Sequence, residues 1–202
     1  MRNICILDYG LGNIQSLINS IKRIGHIPRL FSEIDCYNFE HLIIPGIGSF
    51  SKGSELILNK KFNFLKKKIK NFKILGICLG MQLFFNKGYE NGVNNGLNFI
   101  EGEVKRIKKN KKLILPFVGY QKIKIVQNIK AFKKFHNKKF YFVHSYIAHP
   151  KKKNDILALT ENYQGINYTA AVIKKNLIGT QFHPEKSGEI GLELLNSFIK
   201  DF

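Results

Sequence analysis

The run Phe72-Lys73-Ile74-Leu75 passes through Gly76-Ile77-Cys78-Leu79-Gly80-Met81 into a helical pattern from Leu79 to Phe85, and few folds accept a cysteine on such a strand-to-helix turn. The Gly-x-Cys-x-Gly spacing is that of a nucleophile elbow in its cysteine form. Glycines at 76 and 80 leave room for a sharp turn, and a helix N-terminus puts partial positive charge beside the sulfur. Such surroundings favour the thiolate over a thiol with its free pKa of about 8.5. The plain alternative is a buried cysteine serving as a small hydrophobe, the reading given to Cys5 and Cys36.

A parallel sheet is the natural frame for this turn. Residues 2 to 8 read as a strand, and Asn13 can cap a helix carrying Ile14, Leu17, Ile18, Ile21 and Ile24 on one face, with Gly25 ending it. A second strand near 27 to 31, a third at His41-Leu42-Ile43-Ile44, a helix around 54 to 70 and the elbow strand continue the alternation. From about 97 to 182 the pattern changes to short strands: Leu97 to Ile107, Leu113 to Leu115, Gln121 to Val126, Lys139 to Ile147, Ile156 to Leu159, Ala170 to Ile173 and Leu177 to Gln181. A final helix, about 187 to 200, buries Ile190, Leu194, Leu195, Phe198 and Ile199. The expectation is an α/β fold: a doubly wound, mostly parallel central sheet flanked by helices, with a small additional antiparallel layer. With 202 residues and 44% apolar content the chain can bury one core, so a single domain over 1–202 is drawn.

A nucleophilic cysteine needs a base. Gln181-Phe182-His183-Pro184-Glu185-Lys186-Ser187 supplies a histidine at the end of a strand pattern, with a carboxylate two residues on. If Pro184 breaks the strand, His183 and Glu185 point to one side, where the carboxylate accepts the imidazole N–H and fixes its tautomer. Cys78, His183 and Glu185 then form a triad, and the backbone N–H of Leu79 is a natural oxyanion donor. Gln82, one helical turn beyond Cys78, can face the same pocket. His144 is a tempting second base, read here as a structural histidine, and His26, His41, His136 and His149 fall in no catalytic or metal-ligand spacing. No metal and no cofactor are implied.

The net charge of +19 is the rival signal, since it would ordinarily suggest a polyanion. Only Arg2, Arg23, Arg29 and Arg106 among the 33 basic residues carry the guanidinium suited to bidentate phosphate recognition. The lysine runs Lys66-Lys67-Lys68, Lys108-Lys109 and Lys151-Lys152-Lys153 read as solvated faces or turns, so no specific nucleic acid is expected. No stretch reaches transmembrane length, and Asp8 interrupts the start too early for a signal-peptide core. Three cysteines without short spacing give no disulfide framework. These features imply a cytoplasmic enzyme with reduced thiols and no membrane partner.

Five segments in order carry a resemblance: Asp8-Tyr9-Gly10-Leu11-Gly12-Asn13, Pro45-Gly46-Ile47-Gly48, Gly76 to Gln82, Tyr141-Phe142-Val143-His144-Ser145-Tyr146 and His183-Pro184-Glu185-Lys186-Ser187. Together they are similar to the class I, triad-type glutamine amidotransferases, within which the chain most resembles the glutaminase subunits of imidazole glycerol phosphate synthases. The resemblance implies a flavodoxin-like sheet, L-glutamine as substrate and a glutamyl thioester on Cys78. It makes Pro45 to Gly48 the oxyanion strand, with Ile47 and Gly48 supplying the second donor by reorientation of a peptide. It assigns Gln82 and the backbone at Ser145 and Tyr146 to holding glutamine. It also implies a heterodimer with a barrel-shaped cyclase subunit that receives the ammonia, through an interface including Asn13, Tyr141 and Lys186. The free chain is then nearly inactive until the partner binds its own substrate.

One segment departs from that pattern. Where the family usually has Pro-His-Met-Gly-Trp-Asn near the interface, this chain has Pro116-Phe117-Val118-Gly119-Tyr120-Gln121. Tyr120 and Gln121 keep aromatic and amide chemistry at the expected partner face. A different partner is the alternative, as in paralogous subunits that supply ammonia to enzymes converting an acetamido group of a surface sugar to acetamidino. A catalytically idle subunit and an RNA-binding protein are the readings from other classes. The intact Cys78, His183 and Glu185 weigh against the first, and the lack of aromatics interleaved with arginine against the second.

Overall fold

The computed structural model describes residues 1–31, 39–59, 71–108, 114–161 and 166–202. Cys36, residues 60–70 of the expected second helix with Lys66 to Lys68, Lys109, and Leu113 of an expected strand lie outside them. In chain order the elements are β1 (Asn3–Ile6), α1 (Ile14–Arg23), β2 (Ile27–Leu30), β3 (His41–Ile44), α2 (Phe50–Ile57), β4 (Lys73–Ile77), α3 (Leu79–Gln82), β5 (Phe85–Gly88), β6 (Asn94–Asn95), β7 (Ile100–Arg106) and β8 (Phe117–Ile125). There follow α4 (Lys130–Lys133), β9 (Lys139–His144), β10 (Tyr146–Pro150), β11 (Ile156–Thr160), β12 (Thr169–Lys174), β13 (Leu177–Thr180) and α5 (Gly188–Lys200).

Among the described residues the strands form a nine-stranded sheet, β2-β1-β3-β4-β13-β12-β11-β8-β9, and a four-stranded sheet, β10-β7-β5-β6. The first five strands of the large sheet run parallel. From β13 onward every pairing is antiparallel. The expected antiparallel character is therefore partly continuous with the main sheet, and the small second sheet is itself mixed, since β5 and β7 pair parallel. β1, β3 and β4 are buried on both faces, which is why their sequences are unbroken apolar runs rather than alternations.

Alternate residues of these strands feed two cores. Ile4, Ile6, Ile43, Leu75 and Ile77 pack with Leu17 and Ile21 of α1 and with Leu194, Leu195, Phe198 and Ile199 of α5. Cys5, Leu7, Leu42, Ile44 and Ile74 pack on the other face with Phe50 and Ile57 of α2 and with Phe84, Phe85 and Val104 beneath the small sheet. Asn13 caps α1 by accepting from the Ser16 N–H at 3.3 Å, and Ser49 caps α2 in the same way from Lys52 at 3.4 Å. That serine starts α2 four residues before the position expected from periodicity.

Two expectations are corrected. The helix after Cys78 lasts one turn, because the carbonyls of Leu83, Phe84 and Phe85 are taken by the amides of Leu97, Phe99, Ile100 and Asn98, and Phe85 enters a strand. The dipole beside the sulfur is correspondingly short. The strand expected from Lys139 to Ile147 breaks at Ser145, sending β9 into the large sheet and β10 into the small one. This break leaves His144 at the end of β9 in the large sheet and Tyr146 at the start of β10 in the small one.

Candidate active site

Register brings the site together. Ile44 pairs with Gly76, and Ile77 with Thr180, so β3, β4 and β13 end level. The next residues, Pro45, Cys78 and Gln181, therefore meet at the carboxyl edge of the parallel sheet, where open α/β sheets bind ligands. Cys78 has φ +53° and ψ −109°, a conformation that L-residues rarely hold unless the surroundings enforce it. Its N–H is held by the Thr180 carbonyl at 2.7 Å. A Cβ on Gly80 would collide with the Ile44 carbonyl, and one on Gly76 with the Met81 backbone at 2.8 Å, so the elbow closes only with glycine at both positions. The sulfur lies 3.9 Å from the Val143 carbonyl and accepts from Gln181 Nε2 at 3.6 Å.

Pro184 ends the strand pattern and opens a 3-10 turn over Pro184–Lys186, which folds Glu185 back beneath the ring of His183. His183 Nδ1 meets Glu185 Oε1 at 2.8 Å, with both side chains buried. Burial alone would lower the histidine pKa. The interactions with Cys78 and Glu185 outweigh it and push the value up to about 10. Nε2, the nitrogen left for Cys78, makes no hydrogen bond of normal geometry among the described residues. Catalytic contacts of this kind commonly tighten only with substrate in place.

The Pro45 to Gly48 segment lies directly on the elbow. The position of a Cβ on Gly46 is 2.8 Å from Leu79 Cβ and 3.0 Å from the Gly80 nitrogen, and the Tyr9 hydroxyl occupies the same space. Gly48 has φ +119°, and Ile47 is 39% exposed. Gly46, the residue before Ile47 and Gly48, thus packs on Leu79, the residue after the sulfur-bearing Cys78.

Gln82 does not stand free in the pocket. Its Nε2 donates to the Tyr146 carbonyl at 3.1 Å and to Gln181 Oε1 at 3.0 Å, which ties the small sheet to the large one behind Cys78. The Ser145 carbonyl is taken by the Ile107 N–H. His144 is buried, and its Nδ1 lies 3.1 Å from the same Tyr146 carbonyl. Burial chiefly, with the charge on His183, pushes its pKa down to about 3 against the raising effect of the Tyr146 bond. A neutral ring whose Nδ1 donates to Tyr146 must accept at Nε2, from Tyr168 Oη at 3.0 Å. Tyr168 Oη also stands 2.7 Å from Gln121 Oε1, and one hydroxyl proton cannot serve both acceptors. The count closes when the Gln121 amide turns its NH2 toward Tyr168, an exchange of ends that leaves its shape unchanged.

Gln121 is therefore not a surface residue as expected. Alternation along β8 points Tyr120 outward, 56% exposed, and Gln121 inward, 7% exposed. Tyr120, Tyr141 and Lys186 do cluster: the two rings meet edge-on at 5.5 Å, and the Tyr120 hydroxyl donates to the Lys186 carbonyl at 3.1 Å. Asn13 is occupied as the cap of α1. Gln181, Tyr9 and Tyr168 were not singled out from sequence. For Gln181 the signal was available, since it lies two residues before His183 and a strand end puts both on one side, whereas Phe182 between them goes into the core. Among the described residues no group of three or more His, Cys, Asp or Glu could hold a metal, and no helix is long and apolar enough to cross a membrane.

A strained cysteine elbow at the edge of a parallel sheet, facing a buried histidine–carboxylate pair, belongs to a known class, and this chain is a member of the class-I glutamine amidotransferase family, whose model matches residues 5–202. It is 38% identical to "Imidazole glycerol phosphate synthase subunit HisH 1" of Campylobacter jejuni, covering 98% of this chain and 99% of that protein. It is 39% identical to the subunit HisH of Lactococcus lactis over the whole of both chains, and 36% identical to that of Sulfolobus acidocaldarius over 96% of each. In fold it matches a chain of the PurLQS structure from Thermotoga maritima with a TM-score of 0.74 at 17% identity, covering 100% of this chain and 99% of that one.

Proposed function

We propose that this chain is the glutaminase subunit of an imidazole glycerol phosphate synthase, built as one amidotransferase domain over 1–202, with Cys78, His183 and Glu185 as its triad. Full-length identity of 36% to 39% to HisH subunits supports the pathway. The observation that carries the chemistry is the pairing of the Cys78 elbow at φ +53° with the His183–Glu185 contact at 2.8 Å on the neighbouring strand.

In this reading the Cys78 thiolate attacks the side-chain amide carbon of L-glutamine. The oxyanion is met by the Leu79 N–H and by a donor from Ile47 or Gly48. His183 gives its proton to the departing ammonia as the tetrahedral adduct collapses to the thioester, then takes a proton from the water that releases glutamate. Glu185 holds the ring in its tautomer throughout. Gln82 acts mainly as a bracket that positions Tyr146 and Gln181 around the substrate. The partner is a barrel-shaped cyclase subunit forming a heterodimer. The exposed apolar side chains of Ile47, Val118 and Tyr120, with Tyr120 packed on Tyr141 and bonded to the Lys186 carbonyl, suit such an interface.

The test is glutamine-dependent turnover of the nucleotide substrate by this chain mixed with the cyclase subunit of the same organism, with Cys78→Ala as control. Turnover that the control abolishes is the expected result. A cyclase that works on free ammonia but not on glutamine with this chain would refute the pathway assignment.

A further inference from the structure

Tyr9 holds a polar group at the site that the mechanism above leaves without a task. Its ring packs into the core at the carboxyl end of β1 with 4% exposure, and its buried hydroxyl has no hydrogen-bond partner among the described residues. That hydroxyl fills the space where a Cβ on Gly46 would stand, a point that lies 2.8 Å from Leu79 Cβ and 3.0 Å from the Gly80 nitrogen on the other part of the oxyanion site. A phenylalanine would pack equally well without stranding a donor, so the unpaired hydroxyl disfavours this resting arrangement. Burial, and after it negative charge at Cys78, push the phenol well above its ordinary pKa, so it remains a proton donor throughout the working range.

A peptide's N–H and C=O point in opposite directions. Turning the Ile47 N–H toward a substrate oxyanion therefore swings the Gly46 carbonyl away from the substrate and into the protein, where it needs a donor. Gly46 has no side chain to resist the rotation, and Tyr9 is the donor packed against it. We infer that Tyr9 is a positioning residue whose hydroxyl donates to the Gly46 carbonyl once the Gly46–Ile47 peptide has turned its N–H into the site. The idle hydroxyl of the free chain and the bonded one of the active state then both bias that peptide toward its turned position. This inference rests on the glutaminase reading above.

The experiment compares wild type and Tyr9→Phe in the assembled complex, measuring kcat and KM for glutamine hydrolysis with the partner's substrate bound, and the Tm of each free chain. The expected result is kcat lowered roughly tenfold, equivalent to about 1.4 kcal/mol, with KM within about twofold and a Tm no lower than wild type. An unchanged kcat overturns the inference, as does a rise in KM alone. A lower Tm does so too, because it would mean that the hydroxyl is already bonded in the resting chain. A wild type that is inert in the complex would instead overturn the glutaminase reading, and this inference with it.

Discussion

Replacing His144 by glutamine tests the buried network beneath the site. Its folded-state pKa of about 3 lies well below the unfolded value of about 6.5, so this residue contributes several kcal/mol of pH-dependent stability. The sign follows from which state takes the proton first. On acidification below 6.5 the unfolded chain binds a proton that the folded chain refuses, so the contribution is whole above 6.5 and is lost progressively as pH falls toward 3. Between pH 6.5 and 4.5 the loss is about 2 kcal/mol. His144→Gln removes the titration. It also costs about 2 kcal/mol at pH 7, through lost contacts with Phe117, Phe142 and Tyr168 and weakened bonds to Tyr146 and Tyr168. Urea unfolding of both proteins at pH 7, 6, 5 and 4.5 reads the difference directly, and His26 and His41, also lowered by burial, cancel because both proteins carry them. The variant's deficit should shrink from about 2 kcal/mol toward zero by pH 4.5. A deficit that stays constant with pH would refute the neutral buried histidine and the hydrogen count built on it.

Cys78→Ala should reduce glutamine hydrolysis in the complex by roughly 10⁴-fold or more while leaving the Tm close to wild type, read by coupled glutamate release and calorimetry. Gly80→Ala drives a Cβ into the Ile44 carbonyl and should cost on the order of 3 kcal/mol in urea unfolding; a change under 1 kcal/mol would mean the elbow relaxes easily. Phe182→Ala, which empties a site stacked on Phe140 at 4.2 Å, should cost about 3–5 kcal/mol and also slow glutamine hydrolysis, because Gln181 and His183 flank it. Asn13→Ala should lower the stability of the free chain by about 1 kcal/mol through loss of the α1 cap, a shift that a purely interfacial asparagine would not produce.

The local chemistry was legible in the sequence because it depends on short-range constraints. The elbow glycines, the proline that ends a strand beside His183, the cap at Asn13 and the doubly buried runs of β1, β3 and β4 each follow from residue size, φ preference or periodicity within a few positions. What the sequence could not decide was set by partners far along the chain. The helix after Cys78 stops after one turn because amides at 97 to 100 claim its carbonyls. The strand at Ser145 breaks because its two halves pair with different sheets. Gln121 turned inward through the pleat of β8, and only packing against Tyr168 shows that its amide joins the His144 network instead of a surface. Tyr9 read as one letter of a motif, and its idle hydroxyl emerged only when β1 and β3 brought it against Gly46. Sequence by itself determined which groups could react and which elements could carry them. Tertiary pairing decided which of those groups face one another, because hydrogen bonds between distant strands are satisfied by whichever backbone the sheet order brings alongside.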